Sequence, residues 1–319
     1  MGEDTKTLVT IVIPAYNGGR YIREAINSVL AQDYPNIELV VLDDGSTDNT
    51  AEILNIYGKQ FYWDRHENMG QAATLNRGWG MAHGEIFGYL SADDVLMPKA
   101  ITTSVNILKK FESVVLTYGD FNLIDPQSRI IRRVRNADFN YLDMVANLNC
   151  QPGPGILFRR QAFEAVGDWN STYRQMPDYE YWLRLGLVGG FFHIPDVLAS
   201  FRIHNDSQTF AKGDPQKADE PVRIITEYFK NQPRLPKSIK AVRNRSLSSA
   251  QLMSAQLHLR AGRYSTGLGR LKTALRLYPE NVLNVKSVRM LFNALFNRTG
   301  HRILWHLKHL LAKYIRVGP

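Results

Sequence analysis

Two adjacent aspartates, Asp93 and Asp94, follow an apolar run and could bind a cation together. Residues 86–90 are apolar or aromatic apart from one glycine, which is typical of a strand buried on both faces. Ionised carboxylates this close repel each other unless a cation or hydrogen bonds hold them. Ligands of open α/β sheets lie beyond the carboxyl ends of the strands, where this pair is expected. Either aspartate could instead cap a helix that begins near Pro98.

A second pair, Asp43 and Asp44, occurs in the same setting. It follows the apolar run 37–42, and residues 45–48 form a turn and N-cap signal before a helical pattern. Helix capping does not readily explain two strands that each deliver a carboxylate pair to one edge of a sheet. A site for a divalent cation and a polyoxygenated ligand explains both pairs.

The elements around these pairs alternate between strand and helix patterns. Strands are predicted at 8–13, 37–42, 61–65, 86–90 and 114–119, and helices at 21–31, 50–57, 71–82 and 98–111. Repeated βαβ units favour a mostly parallel sheet covered by helices, an α/β fold that resembles nucleotide-binding arrangements.

The pattern is less regular beyond residue 120. Strands are predicted at 129–135 and 156–158, helices at 141–148, 161–166 and 179–187, a turn-rich break at 151–155, and one or two strands at 191–201. We expect this half to shape the pocket for a second substrate.

Charge divides the chain into two parts. Residues 1–219 carry 20 Lys and Arg against 27 Asp and Glu, whereas residues 220–319 carry 19 against 3. The basic part favours a polyanion or an anionic surface as its partner. The single Cys150 excludes an intramolecular disulfide and fits a reducing compartment. Without a signal-peptide pattern or a run of roughly 18 apolar residues, the sequence predicts a cytoplasmic protein.

Nine short motifs occur in an order that resembles the inverting family 2 glycosyltransferases, which have the GT-A fold. They are T-I-V-I-P-A-Y-N at 10–17, S-V-L-A-Q-D-Y at 28–34, V-L-D-D-G-S-T-D at 41–48, N-M-G-Q-A-A-T-L-N-R-G at 68–78, A-H-G-E at 82–85, L-S-A-D-D at 90–94, G-D-W at 167–169, P-D-Y-E-Y-W-L-R at 177–184 and F-R-I-H-N-D-S at 201–207. Each motif alone is weak, but the ordered set is specific and covers about the first two hundred residues.

The resemblance implies a GT-A catalytic domain at 1–219, with a Rossmann-like mixed sheet flanked by helices, and a C-terminal α-helical extension at 220–319. It implies transfer of a sugar from a nucleotide-diphosphate sugar to a hydroxyl of a glycan or lipid-linked acceptor. The expected setting is cell-surface polysaccharide synthesis.

The family's nucleotide site falls on the loop after the first strand, which comprises Pro14, Ala15, Tyr16 and Asn17. The resemblance sets the Tyr16 ring against the base, although the ring could instead be a core aromatic at a strand end. Asp44 is implied to contact the base as well. Since a carboxylate accepts the imide N–H of uracil or thymine, a UDP- or dTDP-sugar is expected in preference to a GDP-sugar.

The family's metal site falls on Asp93 and Asp94. One is implied to hold the ribose and the other a divalent metal that bridges the donor diphosphate, and Mn²⁺ or Mg²⁺ suits such oxygen ligands. The resemblance brings His204 near the metal or the diphosphate, although a lone histidine is more often structural. Asn76 and Arg77 are candidate donor contacts, with Arg77 as the cation for the diphosphate.

Asp178 is the candidate general base. Inversion needs a carboxylate that takes the proton of the acceptor hydroxyl as it attacks C1. The resemblance gives this role to Asp178 at the start of a helix and not to Glu180, two residues further on. Capping that helix is a compatible role for Asp178.

The C-terminal extension is predicted to be helical and basic. Residues 237–277 read as two helices with a break near 261–263, and residues 301–316 form a basic amphipathic pattern. That pattern favours peripheral binding to the inner face of an anionic membrane, although the helix could instead pack on its own domain. No nucleic-acid reader motif accompanies the charge, so no nucleic acid is expected.

Two other classes of protein compete with the transferase interpretation. A nucleotidyltransferase would also use strand-end carboxylates and Mg²⁺, but residues 14–20 make a poor phosphate-binding loop. A non-catalytic sugar- or partner-binding protein on the same fold would not need Asp44, Asp93, Asp94, Asp178 and His204 together.

Overall fold

A computed structural model describes residues 7–204, 214–232 and 234–294 and divides the chain into two compact units. Unit 1 comprises Met1–Met144 and Cys150–Ala211, and unit 2 comprises Val145–Asn149 and Lys212–Pro319. The boundary expected after residue 219 falls inside the helix Pro215–Asn231, and the division lies between residues 211 and 212 instead.

Residues 7–204 contain nine strands and seven helices, which alternate from β1 to β4. They are β1 (Val9–Ala15), α1 (Ile22–Leu30), β2 (Ile37–Asp43), α2 (Thr50–Ile56), β3 (Tyr62–Arg65), α3 (Gln71–Met81), β4 (Ile86–Tyr89), β5 (Val95–Leu96), α4 (Ala100–Lys110), β6 (Val114–Ile124), β7 (Ile130–Val134), α5 (Tyr141–Asn147), β8 (Leu157–Arg159), α6 (Arg160–Val166), α7 (Pro177–Leu185) and β9 (Gly190–Arg202). The predicted elements are present, and most of their bounds differ from the prediction by one or two residues.

The sheet is mixed, with the order β3-β2-β1-β4-β8-β6-β9-β5, and β7 pairs with β6. The first four strands of this order are parallel, whereas β8 is antiparallel to both β4 and β6. β6 and β9 are parallel along most of their lengths. The parallel half places the ends of β1, β2 and β4 at one edge, as the aspartate pairs predicted.

Both faces of the parallel half are covered, which explains the continuous apolar runs. On one face, the odd-numbered residues of β1 pack against buried residues of α1, α2 and α4 in one core cluster. The other face meets α3 so closely that a Cβ at Gly78 would lie 2.5 Å from Val12 Cγ1. An aromatic cluster centred on Trp79 and Trp169 continues this second layer towards α7.

Unit 2 is helical in its described part. Its helices are α8 (Pro215–Asn231), α9 (Lys237–Ala241), α10 (Arg243–Arg260), α11 (Tyr264–Leu277), α12 (Glu280–Leu283) and α13, which begins at residue 285 and is described to residue 294. The predicted break is confirmed, and Gly262 takes a left-handed φ of 80° there. The amphipathic helix predicted at 301–316 lies outside the described residues. Among those described, no helix is long and apolar enough to span a membrane.

Candidate active site

The loops that follow β1 and β2 are tied to each other at the carboxyl edge of the sheet. Asn17 adopts a left-handed φ of 50°, which asparagine tolerates better than most residues. Its backbone N–H donates to Ser46 Oγ (2.9 Å), and its Oδ1 accepts from Thr47 N (2.8 Å). Asp48 Oδ2 also accepts from Gly19 N at 2.9 Å. These hydrogen bonds therefore make the conformation of each loop depend on the other.

Pro14, Ala15 and Tyr16 follow one another from the sheet into solvent. Pro14 and Ala15 are buried and pair with Leu42 and Asp43 of β2. Tyr16 is 55% exposed. The alternative that Tyr16 is a core aromatic is therefore wrong, and its ring is available for stacking.

The carboxylates of Asp43 and Asp44 accept hydrogen bonds from backbone N–H groups of nearby loops. Asp43 is fully buried, and its Oδ1 accepts from Ser46 N at 2.9 Å. Asp44 is 3% exposed, and its two oxygens accept from Met69 N (2.6 Å) and Gly70 N (2.9 Å), just before α3. Since each carboxylate oxygen has two lone pairs, Asp44 retains acceptor capacity for a base but is already a fixed part of the loop structure.

Asp93 and Asp94 lie beyond β4, and Arg202 at the end of β9 holds both. The backbone N–H of Arg202 donates to Asp94 Oδ1 (2.9 Å), and its Nε donates to the carbonyl oxygen of Asp93 (2.8 Å). Burial, together with the adjacent Asp93 carboxylate, raises the pKa of Asp94 well above its usual value. The pair is thus fixed in a position where a cation would relieve its repulsion.

His204 is brought to the aspartate pair. Its Nε2 lies 2.9 Å from Asp93 Oδ2, and its ring centroid is 5.1 Å from that of Tyr21 at the start of α1. The Arg202 guanidinium lies 4.5 Å from the centroid of the same tyrosine ring. The end of β9, the β1–α1 loop and the residues after β4 therefore form one packed group.

Arg202 is the main site-supporting residue that the sequence analysis missed. It is fully buried, and its guanidinium donates to the Asp125 carbonyl (3.2 Å), Ser128 Oγ (2.9 Å) and Glu24 Oε2 (2.7 Å). The available signal was the arginine that ends β9, two residues before His204.

Asp94 and Asp178 line the same cavity, which has a volume of about 130 Å³. The other lining residues are Tyr89, Leu90, Ser91, Pro152, Gly153, Pro154, Gly155 and Phe201. Gly155 takes a left-handed φ of 78°, so the turn-rich segment at 151–155 bends here to form a wall. The two carboxylates that the sequence assigned to metal and base thus face one space.

Asp178 lies in the first turn of α7. Burial raises its pKa, and the backbone N–H groups of Tyr179 and Asp178 itself offset part of that effect. Glu180 lies on the same helix but is engaged elsewhere, with Oε1 2.8 Å from Arg184 Nε. Only Asp178 of these two carboxylates lines the cavity.

Asn76 and Arg77 contact residues that do not line the cavity of Asp94 and Asp178. Asn76 donates to the Trp169 carbonyl (2.8 Å) and accepts from Trp169 N (2.9 Å). Arg77 forms an ion pair with Asp64 on β3, at the far end of the parallel half of the sheet. In this structure both side chains support the fold and do not join the cavity.

The aspartate pair suits a metal site that the substrate completes. In the described part of the chain, no group of three or more His, Cys, Asp or Glu side chains is arranged around a metal position. Mg²⁺ commonly binds through one or two carboxylates together with substrate phosphates and water. Asp93 and Asp94, one buried and one partly exposed, fit that donor set.

The family comparison agrees with the sequence motifs. The sequence profile described as Glycosyl transferase family 2 matches residues 10–167. An uncharacterized glycosyltransferase of Rickettsia typhi is 35% identical over 210 residues, which are 63% of this chain and 65% of the relative. The chain spans 35% of the length of a relative from Rickettsia conorii.

Two solved structures resemble the chain along most of their lengths. S. aureus TarS 1–349 in complex with UDP has a TM-score of 0.61 and 16% identity, and the match covers 86% of this chain and 91% of that one. The mannosyltransferase PcManGT from Pyrobaculum calidifontis, in complex with GDP-Man and Mn²⁺, has a TM-score of 0.60 and 16% identity, with coverages of 91% and 86%. At this identity the likeness concerns the fold.

Proposed function

The chain belongs to glycosyltransferase family 2 through residues 10–167, and from that premise we propose that it transfers a sugar, with inversion, from a nucleotide-diphosphate sugar to an acceptor hydroxyl. Its mixed sheet with flanking helices is the GT-A fold, which confirms the predicted fold class.

The observation that carries the proposal is the cavity shared by Asp94 and Asp178. Inverting transfer needs a charge-stabilising group beside the leaving diphosphate and a base beside the acceptor hydroxyl. Asp94 is fixed by Arg202, and Asp178 is fixed by the first turn of α7. Asp94 would meet the first need through a cation that it holds, and Asp178 meets the second as the base.

In the proposed reaction, the acceptor oxygen attacks C1 of the sugar as the bond between C1 and the diphosphate oxygen breaks. Asp178 accepts the proton of the attacking hydroxyl, and the nucleoside diphosphate leaves. Burial raises the pKa of Asp178, which makes it a stronger base than an exposed aspartate. Because attack and departure occur on opposite faces of the sugar, the anomeric configuration inverts.

Asp93 and Asp94 are the residues that would hold Mn²⁺ or Mg²⁺, with His204 beside them. When bound, the cation supplies charge neutralisation at the leaving diphosphate. The Mn²⁺ bound in the mannosyltransferase structure supports this part of the proposal. Arg202 holds the Asp94 carboxylate and the main-chain carbonyl of Asp93.

Tyr16, Asn17 and Asp44 are proposed to bind the nucleotide. Tyr16 offers an exposed ring, and Asp44 offers remaining acceptor capacity for an imide N–H. These features suit a base that stacks and offers an N–H donor, and a UDP- or dTDP-sugar is the proposed donor. One neighbour was solved with UDP and the other with GDP-Man, which supports a nucleotide-sugar donor.

The acceptor is proposed to be a glycan or a lipid-linked glycan used in cell-surface polysaccharide synthesis. The basic composition of residues 220–319 and the amphipathic pattern at 301–316 support a position on the inner face of a membrane. There the enzyme would meet a lipid-linked acceptor directly.

A donor screen tests the proposed activity. UDP-, dTDP- and GDP-sugars are incubated with the full chain and Mn²⁺, and the released nucleotide is measured with and without EDTA. The proposal expects EDTA-sensitive release of a nucleoside diphosphate from a UDP- or dTDP-sugar. Release of pyrophosphate would indicate nucleotidyl transfer, and binding without release would indicate a non-catalytic sugar-binding protein.

A further inference from the structure

A second cavity, within unit 2, is lined by cations and amides. Its volume is about 350 Å³, and it is lined by Gln256 and Arg260 of α10 together with residues of α13 that include Lys286, Arg289 and Asn293. No acidic side chain lines it among the described residues. Three cations and two amides provide hydrogen-bond donors suited to phosphate oxygens.

The three cations of this basic cavity are not neutralised from within the described part of the chain. Arg260, Lys286 and Arg289 are exposed, and none of them forms an ion pair with a described acidic residue. The nearby Arg270 differs, because it pairs with Asp219 at 2.8 Å. The cavity therefore retains its positive charge for an external anion.

An exposed apolar stripe lies beside the basic cavity. Val285 is 85% exposed, Val288 54% and Phe292 58%, and Leu283 just before α13 is 71% exposed. Positions 285, 288 and 292 recur at intervals of three and four, so they share one helix face. Large apolar side chains this exposed in a row mark an interaction surface.

The faces of α13 are arranged as in a helix that lies at a membrane interface. Ser287 and Ala294 are buried, and Met290 and Leu291 pack on the small core of unit 2. The apolar stripe points away from that packed face. Positions 286, 289 and 293, which line the basic cavity, each come one residue after a position of the apolar stripe. On a helix this spacing places the cavity-lining side chains on the face next to the stripe.

We propose that the basic cavity and the apolar stripe form a binding surface for an anionic phospholipid bilayer. Lipid phosphates occupy the cavity, and the stripe enters the boundary between headgroups and acyl chains. The inference rests on the proposed membrane location and assigns to residues 256–293 a binding surface in addition to the one proposed at 301–316.

Charge favours a bilayer over the other occupants. The described residues of unit 2 carry 15 Lys and Arg against 5 Asp and Glu, so the same surface of a second copy would be repelled. A soluble phosphate would use the cavity but would leave the stripe in water. An anionic bilayer matches both features, since it offers phosphates and hydrocarbon side by side.

The test is co-sedimentation of the full chain with vesicles of phosphatidylcholine alone or mixed with phosphatidylglycerol. The cavity variant is R260E/K286E/R289E. A matched control, K237E/K272E/R276E, makes the same change in charge at exposed cations of the same unit. At about 1 kcal/mol per cation, the cavity variant should bind anionic vesicles about 100-fold more weakly than the wild type.

The control should bind much more tightly than the cavity variant. Equal losses in the two variants, or no loss in the cavity variant, would overturn the inference. A stripe variant, V285S/V288S, should lose the vesicle binding that persists in high salt. If this variant binds vesicles in high salt as well as the wild type does, the inference is also contradicted. If inorganic phosphate binds to the wild type in calorimetry but the protein does not sediment with anionic vesicles, the cavity is a site for soluble phosphate and the inference is wrong.

Donor-dependent nucleotide release separates this inference from the proposed function. Each variant should release nucleotide at the wild-type rate, and circular dichroism should show unchanged helix content. If the wild type releases no nucleotide, the proposed function fails, but vesicle binding still tests the surface. If release is normal and the cavity variant binds vesicles like the wild type, only this inference fails.

Discussion

At the scale of single residues, Asp94 and Asp178 line one cavity but are held in different ways. Asp94 accepts a backbone N–H from Arg202, a residue distant in sequence, whereas Asp178 is held by the first turn of its own helix. Burial raises the pKa of both carboxyl groups, and Asp93 adds to the effect at Asp94. The position of Asp94 beside Asp93 suits cation binding, and the raised pKa of Asp178 suits proton transfer.

Asp178→Asn should lower kcat strongly without loosening the fold. We expect kcat to fall by at least about 10²-fold, the lower end of general-base effects, while donor affinity in calorimetry stays unchanged. The matched control is Glu180→Gln on the same helix, which should have little effect on kcat because Glu180 pairs with Arg184. The assignment of the base is wrong if the control is the damaging change.

The pH dependence of kcat should follow the raised pKa of Asp178. Because the base must be ionised, kcat at saturating donor should fall as the pH drops through that pKa, above the ordinary aspartate value of 3.8. A folded-state pKa above the unfolded value favours folding at low pH, and this contribution is lost as the pH rises through the folded pKa. Asp178→Asn should therefore be at least as stable as the wild type to urea at pH 7.

Two observations would contradict this account of Asp178. One is an acid limb of the kcat profile at or below the ordinary aspartate pKa. The other is a clear loss of stability to urea in Asp178→Asn at pH 7, which would indicate a structural role for the carboxylate.

The sequence predicted the carboxylates of the candidate site better than its other side chains. The aspartate pairs follow apolar strands, so parallel pairing alone brings them to one edge. Asn76 and Arg77 show the limit, because their positions depend on Trp169 and Asp64. No local pattern in the sequence reveals such distant partners.

At the scale of elements, the end of β9 organises the site. Strand periodicity predicted the strand, but not that its last residue would be a buried arginine. This arginine contacts residues after β4 and β6 and a residue in the first turn of α1. β6 likewise extends to Ile124, beyond the predicted end at 119, because its last residues pair with both β7 and β9. Such pairing partners were not visible in local patterns.

Arg202→Lys should weaken both the fold and donor binding. Lysine cannot reproduce the contacts to Asp93, Ser128 and Glu24 at once, and each hydrogen bond to a charged group contributes about 1.5–3 kcal/mol. We expect the free energy of unfolding to fall by at least about 2 kcal/mol. Lysine keeps the backbone N–H for Asp94 but loses the Nε contact to the Asp93 carbonyl. Because this contact supports the segment that carries the aspartate pair, KM for the donor should rise more than kcat falls.

The control for Arg202→Lys is Arg129→Lys. Arg129 is 75% exposed and pairs with Asp125, so we expect a stability change below about 1 kcal/mol. Urea unfolding and steady-state kinetics on both variants make the comparison. If Arg202→Lys is stable but kcat alone collapses, Arg202 contacts the reacting groups and is not a positioning residue.

At the scale of the whole molecule, charge separates the two parts of the chain more clearly than hydropathy does. The basic residues after 219 and the pattern at 301–316 predict membrane binding, and that last segment lies outside the described residues. The division after residue 211 was not predicted, because the expected boundary follows the change in charge balance, which lies inside α8.

Removal of the C-terminal segment should weaken binding to anionic vesicles. Co-sedimentation is measured for the full chain and for a chain that ends before Arg298, on neutral and anionic lipid. Added salt should weaken binding of the full chain, since a Debye length of about 8 Å at 0.15 M screens surface charges. Equal sedimentation of the two chains would show that 301–316 does not contribute.

The central claim is that the aspartate pair after β4 binds the donor through a divalent cation. Calorimetry with the donor chosen by the screen, in Mn²⁺ or in EDTA, tests it on the wild type, Asp94→Asn and the control Asp64→Asn. Asparagine retains an oxygen for the Arg202 N–H, so the fold should be kept. The account predicts that Mn²⁺ strengthens donor binding in the wild type and in Asp64→Asn but not in Asp94→Asn. An unchanged Mn²⁺ dependence in Asp94→Asn would contradict it.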